Sequence, residues 1–324
     1  MSDIFISPEI VLRLRELYGD RLRESVPMAS YTSARIGGPA DFVLEVRSAE
    51  DMAAVIRQLW DEDIPFRILG GGSNILISDR GIREVVILNR ARKIDFFQED
   101  GGQYVRAESG AVLGTVARLA ADRGWSGLEW GGTVPGTIGG AVVGNAGAYG
   151  GDIASVLKVA EILQLDGCVE EWTLERLDYG YRDSILKRSP GPVVLSSILE
   201  FATSTVDSCT TKMREFAQKR AQSQPAGASM GSMFKNPPED FAGRMIEAVG
   251  LKGYTQGAVS ISPKHANFFM NEGDGTADQV WTLIQTAREK VMEKFGISLE
   301  LEIELVGDWS EKEKALSSRE KRNL

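Results

Sequence analysis

Two stretches of the chain combine residue types and spacing that could do chemistry. "LGGGSNIL" (Leu69 to Leu76) directly follows the apolar run "FRIL". The successive backbone N–H groups of Gly70, Gly71, Gly72, Ser73 and Asn74 can therefore turn together onto an anion. "WGGTVPGTIGGAVVGNAGAYGG" (Trp130 to Gly151) runs 22 residues without a charge, nine of them Gly and one Pro. That length could cross a bilayer, but each interior Gly costs about 1 kcal/mol against Ala and Pro about 3, which excludes a spanning helix. The segment is expected to hold no regular helix and to let something approach its backbone closely. One glycine loop alone reads as a tight turn. Two, each following a strand, are explained together by a diphosphate flanked by small residues. Neither Gly-x-Gly-x-x-Gly nor Gly-x-x-x-x-Gly-Lys-Ser/Thr occurs, so a dinucleotide would be held without a Rossmann fingerprint or a P-loop.

Other candidates are single residues with ordinary alternatives. Arg182 in "YGYRDS" is an always-charged fork suited to a carboxylate, or a surface arginine on a loop. Ser232 in "GSMFKNP" is a hydroxyl that could deliver a proton, or a serine beside glycine in a turn. Glu300, Glu302 and Glu304 repeat every second residue, which puts them on one face of a strand, by default the wet one. The single histidine, His265, has no nucleophile motif beside it. Cys168 and Cys209 follow no metal or redox spacing, so no metal site and no disulfide are expected, and a reducing cytoplasm fits.

The elements that must position these residues alternate between strand and helix. "DFVLEV", "FRIL", "EVVIL" and "YVRAES" read as strands, with helices over Ala49 to Trp60 and Val112 to Arg123. "AEILQL" and "CVEEW" are joined by Asp166-Gly167, a signal for a tight hairpin. Further on, helices are predicted over residues 206–222, Asp240 to Val249 and Ala277 to Phe295, with "QPAGASMGSMFKNPPED" between as a loop. "SLELEIEL" alternates as a half-exposed strand, and the polar tail after Gly307 is expected to fray. "MSDIFISPEIVLRLREL" reads as a short amphipathic helix, not a signal peptide, so the protein is expected to stay where it is made. The class is α+β, and 324 residues exceed one ordinary core. Composition is that of a soluble globular protein, 43% apolar and 26% charged. A net charge of -9 argues against nucleic acid and anionic membrane as partners.

Six strings, "YTSARIGGPADFVLEV", "RILGGGSNILISDRGI", "GTVPGTIGGAVVGNAGAYGGDI", "YGYRDSILK", "GSMFKNP" and "KHANFFMN", occur in this order over about residues 30 to 307. Together they resemble the UDP-N-acetylenolpyruvoylglucosamine reductase (MurB) family of peptidoglycan precursor synthesis. The short span between Ala148 and Tyr181 is similar to its shorter, second type. The resemblance implies a two-part FAD-binding module of the vanillyl-alcohol oxidase type, residues 1–90 and 91–204. A C-terminal α/β substrate-binding domain follows over 205–296, then a strand over 297–307 carrying the catalytic glutamate and a tail over 308–324.

The chemistry so implied is reduction of an enolpyruvyl ether to a lactyl ether, with NADPH as hydride donor and noncovalent FAD as carrier. Gly70 to Asn74 would hold the diphosphate from one side. Thr133, Pro135, Gly136, Gly139, Gly140, Asn145 and Gly147 would line the cofactor from the other. Arg182, Ser232 and Glu302 match the family's catalytic arginine, serine and glutamate, and Tyr149, Tyr181, Lys235 and Asn236 its sugar-nucleotide positions. The sequence departs from the pattern twice. Glu304 stands where a basic residue is common, and "QPAGASMGS" is about one residue short. A second reading is another FAD-dependent oxidoreductase of the superfamily, acting on a small alcohol or sugar. Its frequent covalent flavin attachment finds no His or Cys in either glycine loop. A catalytically dead nucleotide-binding module is a third, disfavoured by the presence of all three matching catalytic residues.

Overall fold

The computed structural model describes residues 6–310, and the chain divides into two compact units. One comprises residues 1–43, 72–86 and 221–324, the other residues 44–71 and 87–220.

The second unit is built on an antiparallel sheet with the order Val169–Trp172, Leu157–Leu163, Val193–Thr203, Gly102–Glu108, Ile94–Glu99. Alternation along Gly102–Glu108 sends Val105 and Ala107 into a core shared with Val116 and Ala120 of the Leu113–Ala121 helix. Ile138 and Val142 join the same core from a helix the sequence did not predict. Ile138–Gly144 lies inside the glycine-rich segment and corrects the expectation that no regular helix forms there. Thr137 caps its start, accepting from Gly140 N at 3.5 Å, and Asn145 closes it in the left-handed region with φ +41°. Propensity lost at Gly139, Gly140 and Gly144 is outweighed by burial of the apolar side chains between them. The predicted hairpin also forms. Leu163 faces Val169, and Gly167 at φ +82° closes a loop in which Gln164 N donates to Cys168 O.

The first unit carries an antiparallel sheet ordered Ala228–Ser232, Phe268–Asn271, Val259–Ile261, Thr255–Gln256. Its leading strand corrects the reading of residues 224–240 as loop throughout. Met230 is fully buried in that strand, which the small residues around it had masked in the sequence. The Ala277–Phe295 helix packs Val280, Leu283, Ile284 and Val291 into the core of this unit. Its start is fixed by a capping box of Thr276 and Gln279 and by the Asp79 carboxylate, which accepts from the N–H groups of Ala277 and Asp278.

The predicted C-terminal strand is broken. Residues 298–305 do not run as one strand: Leu301 forms an isolated antiparallel bridge with Phe234, the chain bends at Glu302 and Ile303, and Glu304–Val306 then pairs in parallel with Ile75–Ile77. The alternating pattern survives because Leu299, Leu301 and Ile303 stay buried across the bend. Fraying after Gly307 is also corrected for the first residues. Asp308 N donates to Gly81 O, and Trp309 is buried against Trp281 at 5.9 Å. The rest of that tail lies outside the described residues. Cys168 and Cys209 are free thiols. Among the described residues no helix is long and apolar enough to cross a membrane.

Candidate functional site

In the second unit the two glycine loops meet. A Cβ on Gly70 would stand 2.6 Å from Thr137 Oγ1, and one on Gly71 would stand 3.1 Å from Gly136 Cα. Only glycine lets these backbones lie side by side, with Gly136 itself at φ +121°. Much of the remaining glycine is demanded by the chain itself. Gly139 abuts Ser109, whose Cβ would be 2.8 Å from an added Cβ, and a Cβ on Gly147 would stand 2.7 Å from Gly151 O. Gly140 is exposed on the Ile138–Gly144 helix, where an added Cβ would meet nothing nearer than Thr137 Oγ1 at 3.8 Å, and Gly144 and Gly150 likewise face open space. Beside the loops, the buried Thr133 Oγ1 and Trp130 Nε1 have no hydrogen-bond partner in the structure. A polar group left unpaired in this way costs about 1–3 kcal/mol, so both atoms are ready acceptors or donors for a bound molecule.

Arg182 occupies a turn of the same unit, between Gly180 and Asp183, which bridge each other. Its φ is +56°, a strained value for a residue with a side chain. The turn is over-determined: Lys187 Nζ donates to Arg182 O at 3.1 Å, Ser184 Oγ donates to Val143 O at 2.6 Å, and Arg182 Nη2 donates to Gly147 O at 2.8 Å. Asn145 Nδ2 donates to Gly180 O at 3.0 Å from the end of the glycine-rich helix, so Arg182, Gly147 and Asn145 form one bonded group. Tyr181 is exposed beside the guanidinium, its ring centroid 5.5 Å from Arg182 Cζ. Tyr149, also left-handed at φ +54°, stacks on Phe216 with centroids 4.9 Å apart and 9° between planes. Phe216 was passed over in the sequence, although Met213, Phe216 and Arg220 share one face of the Val206–Ser223 helix. Burial lowers the Arg220 pKa, and the neighbouring Tyr149 opposes that shift.

The first unit holds the other candidates. Gly72, at φ +59°, lies against the backbone of Tyr31, where a Cβ would come within 2.1 Å of the carbonyl oxygen, and Gly72 O accepts from Ser33 N. The motif "YTSARIGG" thus braces this side of the loop. Asn74 Nδ2 donates to Glu302 O at 3.0 Å, and Asn74 O accepts from Glu304 N. Ser232 ends its strand opposite Phe268, just past a bulge at which Gly231 takes φ +79°. One residue on, Met233 O accepts from Glu302 N at 2.9 Å. Ser232, Glu302 and Asn74 are therefore tied to a continuous backbone strip. Lys235 Nζ lies 3.3 Å from Glu300 Oε2, so the predicted anion partner is paired with the first member of the acidic row. Asn236 Oδ1 accepts from Ala242 N at 3.1 Å and helps start the Ala242–Ala248 helix.

The chain resembles known proteins over most of its length. A family model described as FAD binding domain matches residues 40–172, and one described as UDP-N-acetylenolpyruvoylglucosamine reductase, C-terminal domain, matches residues 222–306. A UDP-N-acetylenolpyruvoylglucosamine reductase of Rubrobacter xylanophilus is 42% identical over 87% of this chain and 94% of its own length. The enzyme of that name from Chloroflexus aurantiacus is 40% identical over 86% and 96%. The crystal structure of UDP-N-acetylenolpyruvylglucosamine reductase from Thermus caldophilus superposes with a TM-score of 0.76 at 33% identity, covering 88% of this chain and 99% of that one.

Proposed function

The chain belongs to the UDP-N-acetylenolpyruvoylglucosamine reductase family, and on that footing we propose which of its residues bind the cofactor and carry the reaction. It is an FAD-containing, NADPH-dependent oxidoreductase that reduces UDP-N-acetylenolpyruvoylglucosamine in peptidoglycan synthesis. The residues present fit FAD. Gly70 and Gly71 bring bare backbone against Gly136 and the Thr137 side chain, and Thr133 Oγ1, three residues before Gly136, is a buried polar atom with no partner. We assign Gly70 to Asn74, Thr133, Pro135, Gly136, Gly139, Gly140, Asn145 and Gly147 to this cofactor. Residues 1–90 and 91–204 form the cofactor-binding part in this reading, and 205–296 the sugar-nucleotide part.

FAD, when bound and reduced by NADPH, supplies the hydride that saturates the enolpyruvyl double bond. The side chains do the rest. Negative charge spreads over the substrate's α carbon and carboxylate as the bond is saturated, and a fixed cation at that place lowers the barrier more than any flexible one. Arg182 meets that charge, since its strained turn holds the guanidinium without reorganisation at the moment of reaction. Ser232 delivers the proton to the α carbon, and Glu302 acts beside it at the enolpyruvyl end of the substrate. Tyr149, Tyr181, Lys235 and Asn236 contact the sugar nucleotide. The observation that carries the assignment is the Glu302 N to Met233 O bond, which fixes the serine and the glutamate to one strip of backbone. A flavin oxidase of a small alcohol or sugar is not favoured, because relatives matched over most of their length carry the reductase name. Two free thiols fit action in the cytoplasm.

Ser232→Ala tests the assignment by separating the half-reactions. FAD binding and its reduction by NADPH should stay intact, while reoxidation by the enolpyruvyl substrate under anaerobic stopped flow slows by about 10²- to 10⁴-fold. Equal loss of both half-reactions would make Ser232 structural and sink its role as proton donor.

A further inference from the structure

One motif of the sequence, "KHANFFMN", has no part in the chemistry so far. Its Asn267 is 3% exposed and makes four hydrogen bonds, three of them in the places that strand-to-strand bonds normally fill. Strand pairing along Ala228–Ser232 ends where Ser232 faces Phe268. From there Asn267 continues the ladder. Its carbonyl oxygen accepts from Met233 N at 2.8 Å, its Oδ1 accepts from Phe234 N at 2.9 Å, and its Nδ2 donates to Phe234 O at 2.8 Å. Its own N–H donates to His265 Nδ1 at 3.2 Å.

The strip from Met233 to Lys235 is bonded on both edges, and both backbone groups of Phe234 are bonded to Asn267. Opposite Asn267, Met233 O accepts from Glu302 N, and Lys235 N donates to Glu300 O at 2.9 Å. Asn267 stands on one side of this strip and the Glu300–Glu302 segment on the other. Without the side-chain amide, Phe234 would leave a buried N–H and a buried C=O unpaired, and the strip could slip or twist between its neighbours. The turn that presents Asn267 is itself tied down. Ser262 Oγ accepts from Lys264 N and His265 N, and Phe268 N donates to His265 O. Ser262 is 1% exposed, so the turn is pre-formed.

We propose that Asn267 is a positioning residue for the reduction: its amide replaces a strand partner for Phe234 and so sets the register in which Ser232 and Glu302 are held. The proposal rests on the reading of Ser232 and Glu302 given above. It concerns where those groups stand and assigns Asn267 no contact with substrate. Misplacing a reacting group by about 1 Å can cost on the order of a hundredfold in rate, which makes such a clamp a kinetic requirement as well as a structural one.

Asn267→Asp is the sharpest variant, since it keeps shape and the acceptor for Phe234 N but places a carboxylate against Phe234 O. On the FAD-loaded protein three quantities are measured: amide hydrogen exchange at residues 232–235 and 302, the rate of FAD reduction by NADPH, and the rate and saturation of reoxidation by UDP-N-acetylenolpyruvoylglucosamine. The expected result is faster exchange confined to those residues, reduction by NADPH within about twofold of the parent, and reoxidation slowed by about ten- to a hundredfold with half-saturation little changed. Unchanged exchange would overturn the clamp. Faster exchange with unchanged reoxidation would overturn its role in positioning, and equal loss of both half-reactions would make Asn267 an ordinary folding residue. Should Asn267→Asp fail to fold, Asn267→Ser, which keeps one hydroxyl near Phe234, is read by the same three measurements. Failure of the Ser232 assignment is seen separately: Ser232→Ala would then reoxidise normally while the exchange result at Asn267 stands unaffected.

Discussion

Glu129 is 3% exposed at the entrance to the glycine-rich segment, and its charge is handled entirely by local donors. Burial by itself would push its pKa up, but Ser126 Oγ at 2.7 Å, Gly127 N at 2.9 Å, its own backbone N–H and the more distant Lys212 bring the carboxyl below its ordinary range. A folded-state pKa below the unfolded one means the unfolded chain binds more protons as pH falls, so this contribution is full above about pH 4.3 and is lost as pH drops through the folded value. Glu129→Gln should therefore cost about 1.5–3 kcal/mol at neutral pH, and the gap from the parent should close in acid. Thermal unfolding of both proteins from neutral to acidic pH checks it, and a gap independent of pH would mean that the charge is irrelevant. This role could not be read from the sequence, where Glu129 is one acid before a glycine run. Arg182 and Ser232 stand out in the sequence because their neighbours form motifs. Asn267 does not, since its meaning depends on a backbone partner 33 residues away.

At the scale of elements, local preference is overridden by tertiary bonding in three of them. The Ile138–Gly144 helix contains three glycines, the Ala228–Ser232 strand is made mostly of small residues, and the acidic strand changes partner at Glu302. Long periodic elements were readable: the Ala277–Phe295 helix has the bounds its pattern predicts, because apolar spacing, capping box and C-terminal Gly296 all agree. The glycine-rich helix offers a direct test of what approaches its backbone. Gly140 faces no atom of the chain within 3.8 Å, so Gly140→Ala has room and should improve helix propensity. The apoprotein should gain up to about 1 kcal/mol. If the cofactor lies over this face, FAD affinity should fall in the same variant, as a methyl group intrudes where the backbone was bare. Calorimetry on the apoprotein and FAD titration separate the two effects. A stabilised apoprotein with unchanged FAD affinity would remove Gly140 from the cofactor site.

Across the whole molecule, each unit buries its own apolar cluster, one through the Ala277–Phe295 helix and one through the Gly102–Glu108 strand, so composition that looked merely ordinary supports two cores. Charge is the property that belongs to the entire chain. A net charge of -9 opposes the approach of NADPH and of a UDP sugar, which are both anions. Individual cations such as Arg182 act only close by, whereas the net field extends over a Debye length of about 30 Å at 0.01 M salt and about 10 Å at 0.1 M. Screening should therefore remove long-range repulsion before it weakens contacts made after desolvation. Raising ionic strength from 0.01 to 0.1 M is expected to increase kcat/KM for NADPH and for the UDP sugar by about two- to fivefold, with kcat itself nearly constant. Steady-state kinetics in sodium chloride, repeated in a chemically different salt of matched ionic strength, provide the check. A fall in kcat/KM would show that clustered cations steer both ligands and outweigh the net charge, and the neutralising variant of each candidate cation would then identify the group responsible.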